Sequence, residues 1–214
     1  MDAEEAERIL SGLFSDSAET YDCCGDGAIL EPLAGVLVRR AEVEEGSRVL
    51  DLGTGTGIAA FKALERVGPG GYVLGVDTAE GLLAVAEEKA RRRGAENVEF
   101  RVMSMSSLDL PDGSFDRVIG NFSLCCTCFY ERAVGEAFRV LKPGGRLTYN
   151  HWGRGESPVA TVLNAVFSKF KVGEPSERLR RAREASDLLE SMWSRFKDPF
   201  AALGALEAAG FRER

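Results

Sequence analysis

Two rhythms alternate along the chain. Short apolar runs closed by glycine or aspartate recur between segments whose apolar positions repeat every three or four residues. Residues 47–52 (SRVLDL) and 71–76 (GYVLGV) are runs of the first kind, and the segment between them, GIAAFKALERVG, has helical spacing. These three segments predict a strand, a helix and a strand. The rhythm continues with a helix over 78–93, a strand from Asn97 (NVEFRVM) and another from Phe115 (FDRVIGNF). A helix around ERAVGEAFRVL then meets Lys142, Pro143, Gly144 and Gly145, which stop it ahead of a fifth strand, RLTYNHW. Strands and helices in alternation specify an α/β fold, doubly wound, with a mostly parallel sheet and helices on both faces.

The ends of the chain leave this rhythm. Residues 28–40 (AILEPLAGVLVRR) have the spacing of a helix packed on the sheet. After Gly153 two helices are predicted, over 157–170 and 175–196, with the turn KVGEP between them, and RLRRARE from Arg178 reads as a solvated helix face. A last helix begins at Asp198 and Pro199, an N-cap followed by a proline at its first position. The 214 residues suffice for one domain.

Composition narrows the partners. A net charge of -7 with no dense Lys/Arg run argues against a nucleic-acid backbone or an anionic membrane surface. The acidic start, MDAEEAERIL, is unlike a leader, and no stretch approaches eighteen apolar residues, so a cytoplasmic location is expected. In that compartment the five cysteines read as free, metal-binding or reactive thiols before they read as a disulfide framework.

The chemistry concentrates at the end of the first strand, VLDLGTGTGIA. Gly53, Gly55 and Gly57 let the backbone turn sharply and approach a ligand, and the following helix offers its N-terminal amides. A dinucleotide fingerprint starting at Gly53 fails because residue 58 is Ile, although Gly55, Gly57 and Ala60 satisfy a looser pattern. Asp51 would repel a pyrophosphate and suits an ammonium or sulfonium group. Asp77, closing the second strand, is placed to accept hydrogen bonds from ribose hydroxyls. These residues together predict a cationic nucleoside as ligand.

In combination the motifs resemble the class I S-adenosylmethionine-dependent methyltransferases, in particular the small-molecule branch similar to the ubiquinone and menaquinone biosynthesis enzymes. The resemblance runs from about Tyr21 to Trp152. VLDLGTGTG is similar to the family's glycine motif, Asp77 to its ribose-binding acid, LDLPDGSFDRVIGNFSL to its fourth-strand segment and EAFRVLKPGGRL to the helix and turn before the fifth. It implies a Rossmann-like methyltransferase fold over 1–214, with a helical cap in 1–45 and a helical lid in 154–197. It also implies S-adenosylmethionine as cofactor, held by Asp51, Gly53, Thr54, Gly55, Gly57, Asp77, Thr78, Ser104, Met105 and Asn121. Gly53, Thr54 and Gly55 would line its methionine part, Asp77 and Thr78 its ribose and Met105 its adenine.

The chain departs from the family where an Asp-Ala pair is replaced by Ser104-Met105, and where a His-His pair is replaced by Cys125-Cys126. With Cys128, and with Cys23 and Cys24 in the N-terminal YDCC, all five thiols are expected near the reaction centre. They would serve as apolar packing, as a grip on a thiophilic metalloid substrate, or as a redox pair. Zinc is disfavoured by the spacing, and no bound metal is expected. For a protonated acceptor the candidate base is His151, and Tyr21 is the other catalytic candidate, either closing over the cofactor or orienting the substrate. A small molecule is the expected partner. The family's last helix normally leads into two further strands, whereas this sequence stops at Arg214. Either the sequence is a piece of a longer protein, or the last two strands are lacking and an exposed sheet edge invites homodimers. Two other functions compete with methyl transfer: a cofactor-binding protein without turnover, and a nucleotide-dependent oxidoreductase.

Overall fold

The computed structural model describes residues 1–23, 26–152 and 174–212. In chain order the elements are α1 (Ala3–Asp16), α2 (Asp26–Arg40), β1 (Arg48–Leu52), α3 (Ile58–Val67), β2 (Tyr72–Asp77), α4 (Glu80–Arg93) and β3 (Val98–Val102). They continue with β4 (Phe115–Asn121), α5 (Tyr130–Val140), β5 (Leu141–Asn150), α6 (Glu177–Trp193) and α7 (Pro199–Ala209). Among the described residues the sheet has five strands in the order β3-β2-β1-β4-β5, and every neighbouring pair is parallel. The order reverses between β1 and β4, so their carboxyl ends flank a crevice.

The two faces of the sheet carry separate cores. Val49, Val73 and Ile119 point to the face covered by α2, α3 and α4, where they meet Leu37, Val38, Phe61 and Leu83. Leu50, Leu52, Leu74 and Val118 point the other way, toward Val134 of α5, Trp193 and Phe196. Alternate residues of buried parallel strands are thus apolar on both sides, which is why these strands read as continuous apolar runs. Asp51 breaks that pattern at a position with no exposed surface.

Two boundaries differ from the sequence reading. Strand β5 begins at Leu141 rather than after the Lys-Pro-Gly-Gly turn, because Leu141 already pairs with Phe115, and the register shifts before Arg117 pairs with Arg146. The turn is absorbed as an irregularity inside the strand, with Gly144 at φ +82°. The helix predicted over 157–170 lies outside the described residues. That predicted over 175–196 is α6 and a short 3-10 turn, Ser194–Lys197. Its stripe Leu189, Trp193 and Phe196 packs into the core and Met192 against Ala6 and Ala185, so these residues do not wall the cleft expected beneath a lid. Arg178 and Arg181 of α6 pair with Asp16 and Glu5 of α1. No helix among the described residues is long and apolar enough to cross a membrane.

Candidate active site

A cleft enclosing about 720 Å³, its open mouth included, lies at the carboxyl ends of β1, β2 and β4. Its floor is the glycine turn. Gly53 and Gly55 have φ of +61° and +55°, the left-handed region that favours glycine. A β-carbon at Gly53 would sit 2.5 Å from Cβ of Ser123 and 3.0 Å from Cε of Met105, so only glycine lets β4's end close onto β1's. At Gly55 a β-carbon would meet only Leu82, at 3.8 Å, which leaves the space beside the backbone open to a ligand.

Asp77 stitches this floor together. Its Oδ2 accepts the Gly55 N–H at 2.8 Å and its Oδ1 accepts the Ala79 N–H at 2.9 Å. Each oxygen keeps a lone pair for a ligand hydroxyl. Burial raises its pKa above the usual carboxylate value, while the amides of Ala79 and Gly55 pull it back. Thr78, Ser104, Met105 and Asn121, expected from the sequence to hold the cofactor, also line the cleft, together with Leu82 and Met103.

Asp51, Thr54 and Gly57 do not line it. The Asp51 side chain turns to the α3 face, where its Oδ2 accepts the Thr54 hydroxyl at 2.7 Å. Burial pushes its pKa up to about 7 against the pull of Thr54 and the Ala60 amide, and the charge of Asp77 adds to the rise. The charge argument built on Asp51 therefore belongs to other carboxylates. Asp77 and Glu7 line the cleft, and none of the described lining residues is Lys, Arg or His. Such a wall repels phosphates and tolerates a cation.

The roof is the N-terminal segment. Glu7, Leu10, Ser11 and Phe14 of α1 and Tyr21 beyond it line the cleft. Glu7 Oε1 accepts the Thr127 hydroxyl at 2.5 Å and the Cys128 N–H at 2.8 Å, tying α1 to the loop after β4. Asp22 fastens the other end: its Oδ1 accepts the Thr56 hydroxyl at 2.6 Å, and its Oδ2 pairs with Lys89 of α4 at 2.5 Å. Glu7, Asp22 and Ser123 escaped the sequence reading. Only Asp22 left a signal, its place beside Tyr21.

At the end of β4 Phe122 has φ +57°, uncommon for a residue with a side chain. The Asn150 side chain accepts its N–H at 2.7 Å and donates to Asn121 at 3.1 Å, so β5 holds the turn. The turn separates the thiols. Cys126 lines the cleft and Cys125 is buried beside it, their Sγ atoms donating to the Phe122 carbonyl at 3.5 and 3.3 Å. The neighbouring Cys126 thiol lowers the pKa of Cys125 despite burial. Cys128 instead packs between Ala6 and Ala185, where burial and then Glu7 push its thiol to about 11. Cys23 is exposed and donates to the Thr20 carbonyl at 3.3 Å, and Cys24 lies outside the described residues. Of the thiols expected near the reaction centre, Cys126 is the one among the described residues that lines this cleft. Among the described residues, no three His, Cys, Asp or Glu side chains are grouped as metal ligands. His151 stacks on Tyr149 at 6.1 Å and is not a cleft residue.

The parallel sheet, its glycine turn and the buried acid that closes β2 are those of a Rossmann-like α/β fold with a cleft at the carboxyl ends of its strands. Residues 43–187 match the family model described as a methyltransferase domain, and the chain belongs to that family. It is 31% identical over 213 residues to the ubiquinone/menaquinone biosynthesis C-methyltransferase UbiE of Methylobacterium nodulans, covering 97% of this chain and 84% of that protein. It is 35% identical over 145 residues to the arsenite methyltransferase of Halobacterium salinarum, covering 68% of this chain and 37% of that one. The crystal structure of an S-adenosylmethionine-dependent methyltransferase from Aquifex aeolicus shares the fold, with a TM-score of 0.55 and 23% identity over 90% of this chain and 88% of that one. The protein is an S-adenosylmethionine-dependent methyltransferase of small molecules. Its cleft suits that cofactor: among the described residues it has a cation-free wall, an open face at Gly55 and an apolar slot formed by Leu82, Met103 and Met105.

Proposed function

We propose that the cleft divides into a cofactor half and an acceptor half. In the first, Asp77 and Thr78 take the ribose, Met103, Ser104 and Met105 surround the adenine, and Gly53 and Gly55 border the methionine part. In the second, Leu10, Phe14, Tyr21 and Cys126 hold a flat, largely apolar acceptor beneath α1. The observation that carries this reading is the pairing of Asp77 with the Gly55 amide in a cleft whose described lining offers no cation. When bound, the cofactor supplies an electrophilic sulfonium methyl. The chain's own part is to hold the two ligands together and keep water out under an apolar roof. We place proton abstraction and acceptor orientation with Tyr21 rather than His151, since Tyr21 is the one of the two that lines the cleft. Carbon methylation is the favoured chemistry, supported by the C-methyltransferase name of the Methylobacterium relative.

Titration calorimetry with S-adenosylmethionine, S-adenosylhomocysteine and NAD tests this reading, followed by turnover with hydroxylated aromatic acceptors. Binding of both adenosyl ligands and not NAD is expected, and turnover separates an enzyme from a silent binder. Arsenite as the turned-over acceptor would replace the aromatic reading by a thiophilic one resting on Cys125 and Cys126.

The same reading extends to assembly. A homodimer through β5 is supported by its position at the sheet edge and by α7 beside it, where Phe200 is 84% exposed. Gel filtration at half the dimer mass would refute it. A cytoplasmic location fits the acidic composition and the thiol count.

A further inference from the structure

Helix α1 turns one face to the cleft, and a charge interrupts that face. Glu7, Leu10, Ser11 and Phe14 stand at i, i+3, i+4 and i+7, on one side of the helix, and all four line the cleft. Two other acids of α1 are neutralised by α6, Glu5 by Arg181 and Asp16 by Arg178. Glu7 is half-buried and has no cationic partner among the described residues.

The two oxygens of Glu7 are used unequally. Oε1 accepts both the Thr127 hydroxyl and the Cys128 N–H, which is all that holding the loop requires. Oε2 accepts no hydrogen bond among the described residues, and it is not one of the enclosed polar atoms left without a partner, so it keeps accessible surface. Thr127 itself lines the cleft, and its bond to Oε1 sets the carboxylate at the cleft wall. A neutral side chain could hold the loop through one oxygen equally well. A half-buried carboxylate without a cation costs free energy, and that cost is tolerated where the charge serves a ligand.

We propose that Glu7 is a specificity-determining residue of the acceptor half: its Oε2 accepts a hydrogen bond from a hydroxyl of the acceptor, and its charge turns away acceptors that carry an acid group. Leu10 and Phe14 of the same helix face cover the apolar body. A hydrogen bond to a charged acceptor is of the stronger kind, and an apolar roof limits competition from water. Asp77, the other carboxylate of the described lining, already has each oxygen engaged by a backbone amide. No described lining residue is a cation that could receive an anionic acceptor. The inference rests on the acceptor half proposed above.

Three flat probes that differ in one group test it in the parent protein: 2-naphthol, 2-methoxynaphthalene and 2-naphthoate, each titrated with and without S-adenosylhomocysteine. The naphthol is expected to bind about tenfold more tightly than either of the others, the gain from one hydrogen bond to a charged group. Glu7→Gln then reverses the polarity with little change of shape. Its amide oxygen can still accept from Thr127 and Cys128, while its NH2 group donates where Oε2 accepted. The naphthol Kd should rise about tenfold, the naphthoate Kd should fall about fivefold, and the S-adenosylhomocysteine Kd should stay within about twofold. A Glu7 that only held the loop would change both probes in the same direction. Equal affinity of the parent protein for naphthol and naphthoate, or a preference that survives Glu7→Gln, would overturn the assignment and leave the acceptor half standing. No binding of any probe to the parent would overturn the acceptor half and the assignment with it. Where Glu7→Gln melts far below the parent, the parent's ranking of the three probes decides alone.

Discussion

The carboxyl end of β1 and the carboxyl end of β4 face each other across the cleft, and they are built on different terms. At β1 nearly everything is local. Asp51, Gly53, Thr54 and Gly55 follow one another, and the glycines at φ +61° and +55° make the turn, tied to the neighbouring strand through Asp77. At β4 a short 3-10 turn is local, and remote segments do the rest. Phe122 is held in the left-handed region by Asn150 of β5, Thr127 and Cys128 are held by Glu7 of α1, and Tyr21 arrives through the Asp22 clamp. On the proposed division of the cleft, the cofactor side is a motif and the acceptor side is an assembly of remote segments. A family can therefore keep its donor while exchanging acceptors, because the two halves answer to different parts of the chain.

The sharpest way to break that comparison is at Asp77. Asp77→Ala leaves the Gly55 and Ala79 amides unpaired and removes the proposed ribose acceptor, so S-adenosylhomocysteine binding should fall about a hundredfold, roughly 3 kcal/mol. Calorimetry reads this directly. A loss below tenfold would mean that the floor, and not the acid, supplies the affinity.

A second effect belongs to the buried acid beneath the floor. The pKa of Asp51 is raised from 3.8 to about 7, so the native state keeps a proton there that the unfolded chain has already released. Stability from this group is complete below the ordinary carboxylate range and is lost as pH rises toward about 7. The slope approaches about 1.4 kcal/mol per pH unit in that window. Urea denaturation across the window should show Asp51→Asn with a flatter profile than the parent. An unchanged slope would place the proton elsewhere.

The smallest effects separate two thiols. Cys128→Ser puts a hydroxyl between Ala6 and Ala185 and should cost about 1 kcal/mol of stability with cofactor affinity intact. Cys126→Ser should leave stability within about 0.5 kcal/mol and change the acceptor KM instead. If both variants behave alike in melting and kinetics, the division of the cysteines by the Phe122 turn is wrong.

The same division explains what could be read in advance. Five strands and their helices announced themselves because apolar runs buried on both faces are continuous, and the glycine turn because its special dihedrals demand glycine. The ends of elements were less legible: β5 starts five residues early because Leu141 meets Phe115, a pairing no local pattern contains. Asp51 was found but given the wrong neighbour, since alternation along a strand tells that residues 50 and 51 face opposite ways and not which face is the cleft. The spacing of Cys125, Cys126 and Cys128 suggested one cluster, and a 3-10 turn over Leu124–Cys126 followed by an extended Thr127 sent the third thiol to a different wall. Ser123 had no signal of its own, because an unmet hydroxyl is visible only once its surroundings are known.

The turn at Phe122 also equips the molecule with an optical probe. The Trp152 ring lies 4.4 Å from that of Phe122 and is 42% exposed, whereas Trp193, the other tryptophan of the chain, is 6% exposed in the core. Emission therefore separates the two: a wet fluorophore seated on the Phe122 turn emits to the red, and a dry one in the core emits to the blue. Any ligand that shifts this turn will write its arrival into the emission spectrum without a label.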